Sequence, residues 1–235
     1  VESRTEPADA PFRMPVQLVL RAANDFRGYA GTVTSGAISV GDRVVDARSG
    51  LGATLQRIST MDGDLETASS GDAVTLVLDT DLDISRGAVL TETQRRPTNA
   101  DVLEARLVWL SEQPFDPEAG YLLRTATDLT PVTSMSVSTL IDFETLSSRQ
   151  AHECGMNDIA DCRILLGRST ALDLFGELPL TGNFVLVNAL DGATVAGGVI
   201  TWVQKGAAAV GDNVLVLDRS RLSSLCADLG DSPED

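Results

Sequence analysis

The chain has a single lysine, Lys205, and one histidine, His152, in 235 residues, and aromatic residues make up only 4%. Cysteine is also scarce, with Cys154, Cys162 and Cys226 an odd set without paired spacing. Each shortage excludes something. A zinc site wants four ligands in CxxC-like or HxxxH pairs, and one histidine with scattered cysteines does not supply them. That histidine has no elbow-type serine to serve, so a Ser–His–Asp triad is excluded as well. The cysteine usage suits a reducing compartment, and the cytoplasm is the expected location. No apolar run reaches about 18 residues. The first residues, VESRTEPADAP, are acidic and polar where a signal peptide is basic and then apolar, so neither a membrane span nor a leader is expected. With 34 acidic against 18 basic residues the net charge is -16, which repels phosphate backbones and anionic lipids, so nucleic acid and membranes are not expected partners.

What is plentiful is hydrophobic residues, 43% of the chain, enough for a core without metals or disulfides. Their spacing is that of strands. In PVQLVLRA, Val16, Leu18 and Leu20 fall on one face and Gln17, Val19 and Arg21 on the other. In DAVTLVLD, Val74, Leu76 and Leu78 oppose Thr75, Val77 and Asp79, and LEARLVWL, DCRILLG and GNFVLVNA read the same way. Between them, SGAISVGD, MDGD, ASSGD and ALDG place Gly, Asp or Ser where a tight reversal needs positive φ or a side-chain cap. Many short strands spaced by turns predict an all-β protein of closed or sandwiched antiparallel sheets. The polar TETQRRPTNA, residues 91–100, predicts a linker between a barrel over 11–95 and another over 101–202. Residues 203–235 form an extension with a strand candidate, NVLVLD, and a short helix striped by Leu222, Leu225 and Leu229 and stopped by Gly230. The start at Val1 and not Met points to a piece of a longer chain.

The stretch DFRGYAGTVTSGAISVGDRVV carries Gly28, Gly31, Gly36 and Gly41. It is not a phosphate loop, which needs GxxxxGK[ST] so that backbone N–H groups and a lysine face the phosphates. It also fails GxGxxG, and no helix follows. Bends and bulges of a curved sheet account for these glycines. The order RGYAGTVTSGAISVGDRVV and then GDAVTLVLDTDLDISRGAVL resembles the second domain of translation-factor GTPases, a β-barrel typified by elongation factor Tu. With MNDIADCRILL and LPLTGNFVLVNALDGATVAGGVI, residues 11–200 most resemble the GTP-binding large subunit of bacterial sulfate adenylyltransferase.

That resemblance implies two consecutive antiparallel β-barrels, like domains II and III of elongation factor Tu, with residues 1–10 leading from a GTPase domain that would bind GTP and magnesium. It assigns no catalytic, cofactor-binding or metal-binding residue to this chain. The family makes adenosine 5'-phosphosulfate and pyrophosphate from ATP and sulfate, coupled to GTP hydrolysis, and adenylyl transfer belongs to a separate small subunit. The implied partners are that catalytic subunit and the parent chain's own GTPase domain. Neither a P-loop nor a fused kinase follows Ile200, so the tail reads as a lineage-specific addition. Two alternatives remain: a translation-factor barrel pair that binds aminoacyl-tRNA, and a stand-alone adaptor.

Three other clusters carry chemistry-bearing side chains. Asp79, Asp81 and Asp83 alternate as in the first half of a calcium loop, but Ile84 and Leu90 stand where glycine and glutamate belong, so a solvated hairpin edge is expected. Cys162 shares an apolar strand face with Ile164 and Leu166 and should be buried, while a redox role is the alternative for Cys154. Arg95 and Arg96, the densest basic spot, either pair with acids of a neighbouring domain or solvate the linker.

Overall fold

Alternating Val, Leu, Ile and Thr become sixteen strands, and no helix occurs among the described residues. The structure is a computed structural model that describes residues 9–22, 26–126 and 128–205. The tail strand, the tail helix and Cys226 lie outside these. The strands are β1 (Arg13–Ala22), β2 (Phe26–Thr32), β3 (Ala37–Ser39), β4 (Arg43–Asp46), β5 (Gly52–Thr60), β6 (Gly63–Leu65), β7 (Thr67–Ser69) and β8 (Ala73–Leu78). They continue as β9 (Val89–Glu92), β10 (Thr98–Trp109), β11 (Tyr121–Arg124), β12 (Leu129–Ile141), β13 (Ser148–Gln150), β14 (Ile159–Leu172), β15 (Asn183–Asn188) and β16 (Thr194–Gln204).

The order β4-β9-β1-β2-β8-β5 closes on itself through β4–β5, and β11-β15-β16-β10-β14-β12 closes through β11–β12. Every strand pairing is antiparallel, so the expected fold class of two consecutive antiparallel barrels is what the chain forms. Closure removes the sheet edges that would otherwise template aggregation. Each barrel fills its interior with its own apolar cluster, around Met14, Tyr29, Leu55 and Leu76 in the first and Leu103, Trp109, Leu123 and Ile164 in the second.

The period-two reading holds for β8, where Val74, Leu76 and Leu78 are buried, and for Cys162, Ile164 and Leu166 on β14. It fails in β1. Val16 pairs with Gly31 and Leu18 with Ala30, so a bulge at Gln17 shifts the register by one. Val16 is buried, but Leu18 and Leu20 are turned outward, and Val19 packs on the core in their place. A bulge exchanges the two faces of every residue beyond it, which alternation alone does not reveal. The linker is also shorter than 91–100 predicts. Thr91 is fully buried in β9, and Thr98 to Ala100 already pair with β14, which leaves residues 93–97 to join the sheets.

The glycines of the 28–41 stretch shape backbone. A side chain on Gly31 would press into the Pro15 carbonyl across the β1–β2 pair, and Gly36, at φ +67°, would put one 2.5 Å from the Ala10 carbonyl oxygen. Only glycine meets both demands.

Candidate functional site

A buried polar network lies where the barrels meet. Phe12, Met14 and Val16 point into the first barrel, so Arg13 and Pro15 point out of it. An outward strand position is normally wet, yet Arg13 is only 3% exposed, because residues of the second barrel cover it. Its Nη2 donates to Asp173 Oδ1 at 2.9 Å and its Nε to Oδ2 at 3.1 Å, while Nη1 donates to the carbonyls of Arg95, at 2.7 Å, and Phe12, at 3.0 Å. Asp173, 8% exposed, follows β14 and also accepts from Thr181 Oγ1 at 2.7 Å. One guanidinium thus ties together the start of β1, the linker and a loop of the second barrel. This bidentate geometry is one that lysine cannot reproduce.

Around this centre Asn99 Nδ2 donates to the carbonyls of Ala47, at 2.9 Å, and Arg48, at 3.2 Å. Arg48 reaches Asp128 at 3.5 Å, and Asp128 also accepts from Arg168. A cleft of about 230 Å³ runs beside these contacts, lined by Asp46, Arg48, Asp83, Arg86, Asp128 and Thr170 among others. Its charged lining residues carry both signs. In its wall the Ser49 hydroxyl and N–H both donate to Asp46 Oδ2, at 2.7 and 2.8 Å, which fixes the turn after β4, and the cross-barrel contacts beside it hold two bodies in one orientation. Burial pushes the Asp128 carboxyl up, but the Arg168 hydrogen bond and charge, the Leu129 N–H and Arg48 together hold it below the ordinary carboxylate range. A depressed carboxylate stabilises the fold above its unfolded value of about 3.9, and this is lost as pH falls through the folded value. Asp128→Asn should therefore give a flatter stability curve between pH 5 and pH 2, measured by urea unfolding at several pH values.

The residues singled out from sequence are spread apart. Asp79 Oδ1 caps the Thr54 N–H at 2.8 Å, Asp81 lies 3.8 Å from Arg27, and Asp83 lines the cleft. Leu82 and Ile84 between them are buried, and Tyr29 Oη clamps Leu82 by donating to its carbonyl and accepting from its N–H. Arg95 pairs with Glu92 at 2.9 Å and Asp9 at 3.5 Å, and Arg96 lies against Gly50. The acid that spans the barrels is met by Arg13, which sequence reasoning passed over because a lone arginine on an outward strand position looks solvated. His152 is exposed, whereas Cys154 and Cys162 are buried. Among the described residues no three His, Cys, Asp or Glu side chains converge as metal ligands. Burial, aided by Asp158, pushes the Cys154 thiol up to about 11, and burial pushes that of Cys162 up to about 12. Both stay protonated at neutral pH, when the thiolate is the reactive form. Iodoacetamide applied to the native chain at pH 7.5 should leave both unmodified, as read by peptide mass spectrometry, and label them only after unfolding.

Away from the joint, the second barrel is closed by an aromatic cluster that the sequence reading did not pick out. Trp109 meets Phe115 and Tyr121 edge-on, with centroids 5.8 and 6.0 Å away, and its Nε1 donates to the Gln113 carbonyl at 2.7 Å. Three groups of connections gather at this end, residues 110–120, 142–158 and 189–193.

Two consecutive six-stranded antiparallel barrels define the fold class of the chain. The solved structure of Sup35 complexed with GMPPNP superposes with a TM-score of 0.75 over 84% of this chain and 48% of that one, at 18% identity, a likeness of fold. Residues 102–201 match the family described as GTP-eEF1A C-terminal domain-like. The chain is a homologue of sulfate adenylyltransferase subunit 1 and of NodQ. It is 39% identical to sulfate adenylyltransferase subunit 1 of Methylorubrum extorquens over 85% of this chain and 43% of that protein. It is 37% identical to the bifunctional enzyme NodQ of Rhizobium meliloti over 94% of this chain and 35% of that one, and 41% identical to NodQ of Rhizobium sp. strain BR816 over 82% and 30%. The chain spans less than half the length of these relatives. The Rhizobium meliloti match extends over 222 residues, more than the span Val1–Lys205 holds, so part of the tail aligns too and is not peculiar to this chain.

Proposed function

We propose that this chain is the non-catalytic two-barrel part of the GTPase subunit of a cytoplasmic sulfate adenylyltransferase. Its work in sulfate assimilation is to couple GTP hydrolysis to the conversion of ATP and sulfate to adenosine 5'-phosphosulfate and pyrophosphate. The carrying observation is the joint: Arg13 binds Asp173 and the Arg95 carbonyl in a buried site, so the barrels turn together. A nucleotide-driven rotation applied to one barrel is delivered to whatever the other one touches, which is how rigid-body switches act.

Gly31 and Gly36 close against the barrel's own backbone and leave no cradle for a phosphate. On this reading GTP and magnesium would be bound by the GTPase domain of the parent chain, and the partner would be its catalytic small subunit. Titrating the chain against that subunit from the same source, with tRNA in parallel at physiological salt, tests the reading. Saturable protein binding without a tRNA response supports it. Tight tRNA binding that weakens steeply with salt contradicts it, and a net charge of -16 with one lysine argues against that outcome.

A further inference from the structure

The two ends of the second barrel differ in what covers them. One end holds Asp173, Thr170 and Asn99 and is closed by the first barrel. The opposite end leaves large apolar side chains in water at its loop tips: Phe143 is 73% exposed, Leu146 80%, Leu190 93%, and Met156 more than half. Isolated exposed leucines need no explanation, but Phe143 and Leu146 share one short hairpin tip between β12 and β13.

That tip is fixed in shape. Asp142 Oδ1 accepts the N–H groups of Glu144, at 3.0 Å, and Thr145, at 2.8 Å, together with the Thr145 hydroxyl. The Asp142 N–H in turn donates to the Ser147 carbonyl at 2.9 Å. Leu146 is held at φ +54°, the left-handed region, where a branched L-residue costs roughly 1–2 kcal/mol and glycine or asparagine would relieve it. The Leu146 side chain, 80% exposed, does not offset that cost by burial.

Charge around the tips is predominantly acidic. Glu112, Glu118, Asp142, Glu144, Glu153 and Asp191 are exposed on these connections, with Arg149 and His152 as their basic neighbours. Among the described residues none of the six is in an ion pair. On the barrel wall, by contrast, Arg106 meets Asp161 at 2.8 Å and Arg163 lies 3.7 Å from Glu104. An acidic rim around apolar tips complements a basic surface with apolar sockets, and it repels nucleic acid.

We infer that the end of the second barrel opposite the joint, with Phe143 and Leu146 as its anchors, is the docking surface for the catalytic subunit, which meets it with a basic face. The inference rests on the function proposed above and adds the place of contact. Its test titrates the small subunit with three forms of the whole chain: the unmodified chain, Phe143→Ser/Leu146→Asn, and Leu18→Thr/Leu20→Thr, which removes comparable exposed apolar groups from the first barrel. The tip variant is expected to bind at least about tenfold more weakly, as when anchor residues are lost. Its melting temperature should equal or exceed that of the unmodified chain, because asparagine tolerates the Leu146 conformation. The first-barrel variant is expected to bind as the unmodified chain does, and raising salt should weaken binding by screening the rim. Equal binding by the unmodified chain and the tip variant overturns this surface while leaving the coupling reading intact. No binding by the unmodified chain overturns both, and binding indifferent to salt overturns the basic face.

Discussion

Arg13→Ala should lower the stability of the chain by about 3–5 kcal/mol, the usual result of removing one partner of a buried ion pair. The loss comes from what is left behind. Among the described residues Asp173 would keep only the Thr181 hydroxyl as a partner, and the carbonyls of Arg95 and Phe12 would lose their shared donor. Urea unfolding at neutral pH measures it, and because the guanidinium ties the barrels together, the single transition of the unmodified chain should separate into two. Arg13→Lys should recover little, since an ammonium cannot meet a carboxylate and two carbonyls in the same fork. Arg13→Met with Asp173→Leu should recover part of the loss, because it removes the uncompensated Asp173 charge, while the carbonyls of Arg95 and Phe12 stay without their donor. A change in Arg13→Ala within about 0.5 kcal/mol, the size expected of an unremarkable surface substitution, would mean that the joint is not a structural tie.

Trp109→Ala should cost about 3–5 kcal/mol, the range for emptying a large buried aromatic site. Trp109 is 1% exposed and packs edge-on against both Phe115 and Tyr121, which also lie 6.0 Å from each other. Its backbone holds the end of the barrel as well: the Trp109 N–H donates to the Asp158 carbonyl, and the Asn157 N–H donates to the Trp109 carbonyl. Trp109→Phe keeps part of the packing but orphans the Gln113 carbonyl, so a smaller loss of about 1–3 kcal/mol is expected. Circular dichroism during urea unfolding measures both. Because the cavity lies in the second barrel, amide exchange should quicken there first and leave Tyr29 and Leu76 of the first barrel protected.

Much of the fold was legible because a strand with one wet face writes its burial into every second residue. Val74 to Leu78 and Cys162 to Leu166 keep that register throughout, and Gly36 and Gly41 mark positions where φ is positive. β1 was misread beyond Gln17, since one inserted residue swaps the faces without altering the composition. The joint was not legible at all. Arg13 occupies an outward strand position, and the sequence looks the same whether water or a second barrel covers that position. Polarity between Thr91 and Ala100 suggested a long linker, but Thr91 and Thr98 are strand residues whose hydroxyls sit comfortably in a sheet. The apolar tip escaped notice for a related reason: Phe143 and Leu146 resemble core residues until the structure turns them outward.

The central claim is that the barrels form one rigid body, and residual dipolar couplings of the backbone amides in weakly aligned chain test it most directly. Couplings from β1, β2 and β8 of the first barrel and from β10, β14 and β16 of the second should fit a single alignment tensor, and should divide into two in Arg13→Ala. Two tensors of different magnitude in the unmodified chain would contradict the claim, because barrels that reorient independently cannot pass a rotation from one to the other.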